Sequence, residues 1–388
     1  MAKKAFINGY VFNTNSESFV RCNVICEDGF ICDITSNFVP HGCEVIDISG
    51  KYLIPGMVDV HTHGIGGYDF CGATEENVKE MCKAYAKNGT TSVMATLASD
   101  RMSRLIDSVF SINPNRLNEG YRGANILGVH MEGRYLNPEK RGAHATEYLA
   151  LPNLKELESL TSAMLPAPMH FSVAPELEGS EAFIKRIVEI GGTVGIAHTN
   201  ATYEQAYTAI KEWGATSFTH TFNAMTSVHH RNPGATVCAM TCDDAYAEVI
   251  CDGHHLAPAI VNLIYKSKPK DKMVLITDSL AAAGSPEGEY EISGAKYIVK
   301  NGHCVNEFGT IAGSILALFE GMKNFMKFCN IPLIHALKYA TINPAKMVNA
   351  DFIGKIEKGY QADFIVINNP DAPKILDVYV GANKIQRD

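Results

Sequence analysis

Through the middle of the chain, short apolar runs alternate with amphipathic stretches, and each run ends in polar residues. The runs are Leu53–His63, Thr91–Ser99, Ile126–Glu132, Phe171–Glu176, Val194–His198, Ser217–His220, Ala247–His255 and Met273–Asp278. Between them, Glu75–Lys87 has a helical period and stops at Asn88-Gly89, a helix-ending pair. Tyr203–Trp213 opens on Thr202-x-x-Gln205, a capping box, and closes at Gly214. Strands alternating with helices specify parallel β-α units, and eight of them predict an α/β protein with a closed (β/α)8 barrel of TIM type. Active sites of such barrels lie at the C-terminal ends of the strands. His, Glu and Asp accumulate there in this chain.

The two ends of the chain read differently. Ala5–Gly9 leads into a turn, and Val24–Gly29 ends in Asp28-Gly29, a hairpin signal, before Phe30–Ile34. Ala362–Ile367 and Ile375–Val380 are further strand-like runs. Neither end is long enough to build a core alone. Both are expected to fold together into one small β domain, residues 1–52 with 355–388, beside a barrel over 53–354. A single core stops growing at roughly 250–300 residues, which also predicts one large and one smaller unit.

The 388 residues include 34 basic and 42 acidic side chains, a net charge of −8. With 46% apolar residues the chain can pack a core and is not mainly disordered. The negative balance argues against broad nucleic-acid binding, and it requires a local basic cluster for any anionic substrate. No apolar run approaches the roughly 18 residues of a membrane span, so no membrane association is expected. The N-terminus lacks a secretory pattern. Eleven cysteines occur without a CxxC pair, and the spacings Cys22/Cys26 and Cys238/Cys242 have no second ligand pair after them. Reduced thiols in a cytoplasm are therefore expected.

His61 and His63 lie two apart in a strand, so both imidazoles point to one face. An HxH pair is a weak signal by itself. It gains weight because Glu132, His198, His220 and Asp278 also close predicted strands. Carboxylate and imidazole donors suit Zn²⁺ or Fe²⁺ with a position left for water. The chemistry expected is metal-assisted hydrolysis of a C–N bond, with Asp278 taking a proton from water and passing it to the leaving amine. No GxSxG elbow, P-loop or strand–GxGxxG–helix unit competes with that reading. A second cluster runs from His220 to Met225, from His229 through His230 and Arg231 to Gly234, and from Asp252 to His255. Arg, His and a backbone turn suggest a seat for one phosphate.

The segment Pro55–Gly64 resembles the opening signature of the amidohydrolase superfamily. Further segments are similar, in order along nearly the whole chain, to its N-acetylglucosamine-6-phosphate deacetylase family. They are His130–Gly133, Ala174–Glu176, His198–Tyr203, His220–Met225, Thr277–Gly284, Gly309–Ser314, Asn343–Ala345 and Gly359–Phe364. The resemblance implies a barrel with a small β-sandwich from both termini, and release of acetate from N-acetylglucosamine 6-phosphate. It implies Glu132, His198 and His220 as main metal ligands, Asp278 as acid/base, and His144 as the group that polarises the acetyl carbonyl. Asn223, the Ala224 N–H, His255 and His230 fall to the sugar phosphate. Arg231 matches an arginine reaching in from a neighbouring subunit, hence a homodimer. Because His61 and His63 are both kept, one or two divalent ions, Zn or Fe, are implied.

The family commonly has Pro after Glu-Gly, whereas Arg134 follows Gly133 here; its side chain is expected to face solvent, as Arg mostly does. Three alternatives stay open. The substrate is the galacto epimer, N-acetylgalactosamine 6-phosphate; or the enzyme is another amidohydrolase acting on a different amide; or the chain is a metal-free interaction protein on the same scaffold. Cyclic-amide hydrolases of this type use a carbamylated lysine at the end of the fourth strand, and His170–Glu176 contains no lysine.

Overall fold

The computed structural model describes residues 3–36, 39–116, 123–292, 295–306 and 309–387. Eight strands form one parallel sheet in chain order: β1 (Met57–Thr62), β2 (Thr90–Ala98), β3 (Asn125–Glu132), β4 (Met169–Val173), β5 (Thr193–Ile196), β6 (Ser217–Phe218), β7 (Tyr246–Ile250) and β8 (Met273–Ile276). The first and last strands meet through Asp278 N–H donating to His61 O and His63 N–H donating to Ser279 O, both at 2.8 Å. The Thr277 hydroxyl donates to the buried Asp59 carboxylate at 2.6 Å across the same seam. The result is the expected TIM-type barrel. Helices between the strands follow their caps. Glu75–Lys87 starts at a Thr74/Asn77 capping box, and Tyr203–Lys211 starts at Thr202/Gln205.

Two differences from the expected runs have local causes. The run from Leu53 breaks at Pro55-Gly56. Tyr52–Pro55 pairs antiparallel with Phe364–Ile367 in an outer sheet, and only from Met57 does the chain enter the barrel. The boundary expected between residues 52 and 53 therefore cuts through one strand. The runs ending at His198, His220 and Asp278 stop as strands two residues early, where the backbone turns out of the sheet.

Both ends of the chain build two sheets. Lys4–Ile7, Asn23–Glu27, Phe30–Thr35 and Glu44–Asp47 form one. Tyr10–Asn13, Ser18–Arg21 and Tyr52–Pro55 join Phe364–Ile367, Ile375–Val380 and Asn383–Lys384 in the other. They enclose Phe6, Val24, Ile31, Leu53, Phe364, Val366 and Tyr379. The Phe6 ring meets Phe364 and Tyr379 edge-on at 5.1 and 4.8 Å. Each fully buried Phe contributes about 1.5–3 kcal/mol. Since the cluster draws on both termini, neither forms it alone.

A third sheet follows β8: an antiparallel meander of Gly288–Ile292, Ala295–Lys300, His303–Asn306 and Ile311–Gly313. Its central turn, Asn301-Gly302, has φ of 52° and 78°, the doubly left-handed turn that suits a twisted hairpin. Among the described residues no helix is long and apolar enough to cross a membrane.

Candidate active site

Strand alternation sorts the residues of β1. Val58 and Val60 face outward and pack with Ile250, Val274, Ile276 and the helix residues Ala345 and Met347. Asp59 and His61 face the barrel axis, and His63 follows them at the mouth. Glu132 is the last residue of β3. His198, His220 and Asp278 sit just beyond β5, β6 and β8 with φ of 42°, 31° and 49°. Left-handed backbone is strained for such residues and concentrates at functional sites. Here it turns three side chains toward one point.

The carboxylate of Glu132 stands at that point, and its two oxygens face different groups. Oε2 lies 2.9 Å from His63 Nε2 and 3.4 Å from His61 Nε2. Asp278 Oδ1 completes that group at 3.2 Å from His63 Nε2 and 3.4 Å from His61 Nε2. Oε1 lies 2.9 Å from His220 Nε2 and 3.3 Å from His198 Nε2. The donor atoms form two potential cation-binding groups that share Glu132.

The protonation of these rings can be read from their outer nitrogens. His198 Nδ1 is 2.7 Å from the Lys140 carbonyl, so Nδ1 carries the hydrogen and Nε2 presents a lone pair. That lone pair faces His220 Nε2 at 3.0 Å and a carboxylate oxygen. His61 Nε2 is buried with no hydrogen-bond partner. A buried nitrogen without a partner, set among converging imidazole and carboxylate atoms, fits a divalent cation, and imidazole with carboxylate suits Zn²⁺ or Fe²⁺. The electrostatics agree. Burial by itself raises the Glu132 pKa, but the charge of His61 and hydrogen bonds with His198 and His220 hold it well below the usual value. Burial opposes charge on His63, yet Asp278 and Glu132 raise its pKa to about 10. The cluster attracts positive charge.

His144 stands at the edge of this group, with Nε2 3.8 Å from Glu132 Oε2. Its Nδ1 accepts the Ser99 N–H at 3.4 Å, which leaves the hydrogen on Nε2, aimed into the site. Burial pushes its pKa down to about 3, so the ring is neutral. Gly133 permits this arrangement: its φ is 151°, and a Cβ there would stand 2.2 Å from Ser99 Oγ. Asp278 is pinned by its backbone, whose carbonyl accepts Ser314 N–H at 2.8 Å. A Cβ on Gly313 would come within 2.9 Å of that carbonyl, which accounts for the Gly309–Ser314 segment.

These groups open onto a cavity of about 590 Å³. Asn223, Ala224 and His255 line it. The His255 Nδ1 is 2.6 Å from Asp252 Oδ2. Burial opposes its protonation, but Asp252 outweighs that and raises the pKa. His230 and Arg231 are not among the lining residues. They lie on an exposed loop, where Arg231 Nη1 meets His230 Nε2 at 2.7 Å. Arg134 departs from its expected exposure. Its side chain is 14% exposed and holds Glu156 at 3.2 and 3.0 Å through two guanidinium nitrogens, while Nη1 donates to Asp100 O at 2.9 Å. The φ of 65° at Arg134 turns the chain toward that carboxylate and away from the cavity.

Sequence reasoning missed several residues here. Lys140, Asp69 and Tyr297 line the cavity, and Glu248 lies fully buried beneath it. Glu248 had a signal, a lone carboxylate within the apolar strand Tyr246–Ile250. Tyr297 sits on the meander, which the Asn301-Gly302 turn could have revealed. Conversely, Glu176 ends a run but does not reach the site. It accepts from the Thr199 hydroxyl, from Asn200 N–H at 2.6 Å and from the Asn137 amide at 2.8 Å, holding the loop after His198.

Three comparisons bear on this arrangement. The amidohydrolase family profile matches residues 52–385. The N-acetylglucosamine-6-phosphate deacetylase of Lysinibacillus sphaericus is 30% identical over 90% of this chain and 89% of its own. The N-acetylgalactosamine-6-phosphate deacetylase of Escherichia coli O157:H7 is 29% identical over 88% of this chain and 89% of its own. A solved N-acetyl-D-glucosamine-6-phosphate deacetylase from Mycobacterium smegmatis, a mutant in complex with N-acetyl-D-glucosamine-6-phosphate, superposes with a TM-score of 0.90. It is 27% identical and covers 99% of this chain and 100% of that one.

Proposed function

Since the chain belongs to the amidohydrolase family, we propose that it hydrolyses N-acetyl-D-glucosamine 6-phosphate to D-glucosamine 6-phosphate and acetate. The observation that carries the proposal is the Glu132-centred cluster at the mouth of a barrel whose relatives of similar length bear that name. In this reading His61, His63, Glu132, His198 and His220 hold one or two divalent ions, Zn or Fe. A bound ion would lower the pKa of a water from about 15.7 toward about 7. Asp278, whose carboxylate faces His61 and His63, would take a proton from the attacking water at Oδ1 and deliver it to the leaving nitrogen. His144 donates its Nε2–H to the acetyl carbonyl, as its contact with Ser99 N–H prepares it to do. Asn223, the Ala224 N–H and His255 receive the sugar phosphate.

His230 and Arg231 act, in this proposal, on the phosphate in the cavity of a neighbouring subunit, because their exposed loop does not reach the chain's own cavity. The enzyme is then a homodimer. We place it in the cytoplasm, where a doubly charged sugar phosphate is retained. The chain divides into a terminal β unit and a barrel, with the junction at Pro55-Gly56.

A second reading keeps the chemistry and changes the sugar, because relatives at 29% and 28% identity are named N-acetylgalactosamine-6-phosphate deacetylases. Acetate release from both epimers and from the unphosphorylated sugar, with metal quantified on the same sample, separates the readings. Fast, phosphate-dependent release on the gluco substrate is expected. Faster release on the galacto epimer establishes the second reading. No release from a metal-loaded sample overturns both. Arg231→Ala is expected to raise KM for the phosphorylated sugar; an equal loss on the unphosphorylated one removes Arg231 from phosphate binding.

A further inference from the structure

Below the cluster, β7 carries Glu248, whose side chain has no exposed surface. Its Oε2 lies 3.1 Å from His61 Nδ1 and accepts the backbone N–H of His220 at 3.2 Å. Its Oε1 faces His170 Nε2 at 3.6 Å. An ionised carboxylate only accepts, so the contact places a hydrogen on His61 Nδ1 and makes Nε2, which stands between Glu132 and Asp278, the nitrogen that would give a lone pair to a bound ion. The same oxygen anchors the strained backbone of His220, whose side chain belongs to the other group. One buried oxygen thus touches both halves of the cluster, at residues 159 positions apart in sequence.

We propose that Glu248 is a positioning residue for the metal centre: it sets the tautomer of His61 and, through the His220 N–H, ties the two ligand groups together. The proposal rests on the metal-dependent reading above and goes beyond it by naming the group that orients the ligands. Two features separate this role from simple core packing. Packing at this depth is ordinarily apolar, whereas Glu248 is charged and stands among polar neighbours. Its partners are the metal-facing His61, the backbone of His220 and the ring of His170. Outer partners of metal-bound histidines commonly contribute 10–100-fold to metal affinity.

The test is a metal titration of chelator-treated full-length protein with Co²⁺ and with Zn²⁺. Bound metal is counted by elemental analysis, and activity is measured separately. Wild type, Glu248→Ala, Glu248→Gln, His61→Ala and the Glu248→Ala/His61→Ala double variant are compared. Glu248→Ala is expected to weaken at least one ion by 10-fold or more. The double variant should bind no more weakly than His61→Ala loses through His61 plus a residual effect at His220, so the two losses are less than additive. Glu248→Gln keeps an acceptor oxygen but no charge, and is expected to recover part of the affinity. It is also the variant that retains the shape of the core should Glu248→Ala fail to fold.

Wild-type affinity in Glu248→Ala or in Glu248→Gln overturns the proposal, as does full additivity with His61→Ala. A purely structural role would lower thermal stability and leave the non-additive metal affinities unmoved. If wild type itself binds no ion, the metal-dependent reading fails and the proposal with it. If wild type binds ions and the Glu248 variants bind them equally well, only the proposal fails.

Discussion

Glu132 and Asp363 are both buried carboxylates, and burial by itself raises the pKa of each. At the barrel mouth, Glu132 meets the imidazoles of His61, His63, His198 and His220, and its pKa is held well below the usual value. Asp363 lies where the terminal sheets meet the base of the barrel. Its partners are Gly381 N–H at 2.7 Å and the Asn125 amide at 3.0 Å, neither of them charged. Burial pushes its pKa up to about 7. Asp59, just beneath the cluster, also rises to about 7 through burial, although it accepts from the Thr277 hydroxyl. Depth is similar in all three cases. Several imidazoles hold Glu132 ionised, whereas Asp59 feels His61 too weakly to offset burial and Asp363 has uncharged partners. The barrel mouth gathers groups that compete for a cation, whereas the junction holds an acid whose task is to link two units.

The largest expected effect that sharpens this contrast is at Asp278. Replacing it with Asn is expected to lower kcat by a factor of about 10² to 10⁴, or about 3–5 kcal/mol of barrier, with metal still bound. Steady-state kinetics with metal analysis checks it, and wild-type turnover would remove Asp278 from proton transfer.

At the junction the effect is on stability and has the opposite pH sense from a paired carboxylate. The unfolded chain releases the Asp363 proton near the ordinary value of about 3.9, while the folded chain keeps it until about 7. The folded state therefore binds more protons in that window, and wild-type stability falls as pH rises through it. Asp363→Asn has no proton to lose. The stability of that variant relative to wild type is expected to rise by about 2–3 kcal/mol from pH 5 to pH 8. Urea unfolding of both proteins at the two pH values measures it. A difference that does not change with pH would mean that Asp363 ionises normally.

Arg134 supplies the smallest effect, from an ion pair outside both regions. Arg134→Ala is expected to cost about 1–2 kcal/mol of stability through loss of the Glu156 and Asp100 contacts. The ratio of activity on the gluco and galacto epimers should not move. A shifted ratio would bring Arg134 into sugar recognition after all.

Much of the architecture was legible from periodicity. The short apolar runs and the capped helices between them mark the barrel strands, because an apolar run and a cap are local properties. Asp-Gly at 28–29 and the paired runs at both ends mark the terminal sheets for the same reason. The meander within 288–313 carries local signals in the alternation of Gly288–Ile292 and in Asn301-Gly302, but its place beside the cavity, through Tyr297 and Ile311–Gly313, is set only by the tertiary structure. Of the candidate site, Glu132, His198, His220, His61, His63 and Asp278 could be listed from strand ends. Glu176 met the same rule and proved to be a loop anchor.

What the chain determines by itself is which faces its strands and helices present, since side-chain direction follows from backbone period. It thereby brings polar groups to one end of the barrel. Only the tertiary structure decides which of them meet. Barrel closure puts His61 against Asp278 across the seam, and β7 under His61. It splits Glu132 between two sets of imidazoles, turns Arg134 to Glu156, and leaves His230 and Arg231 outside the cavity. Those outcomes depend on distances of a few ångströms between residues far apart in sequence, and on the charges that burial forces to find partners. Neither is a local property of the chain.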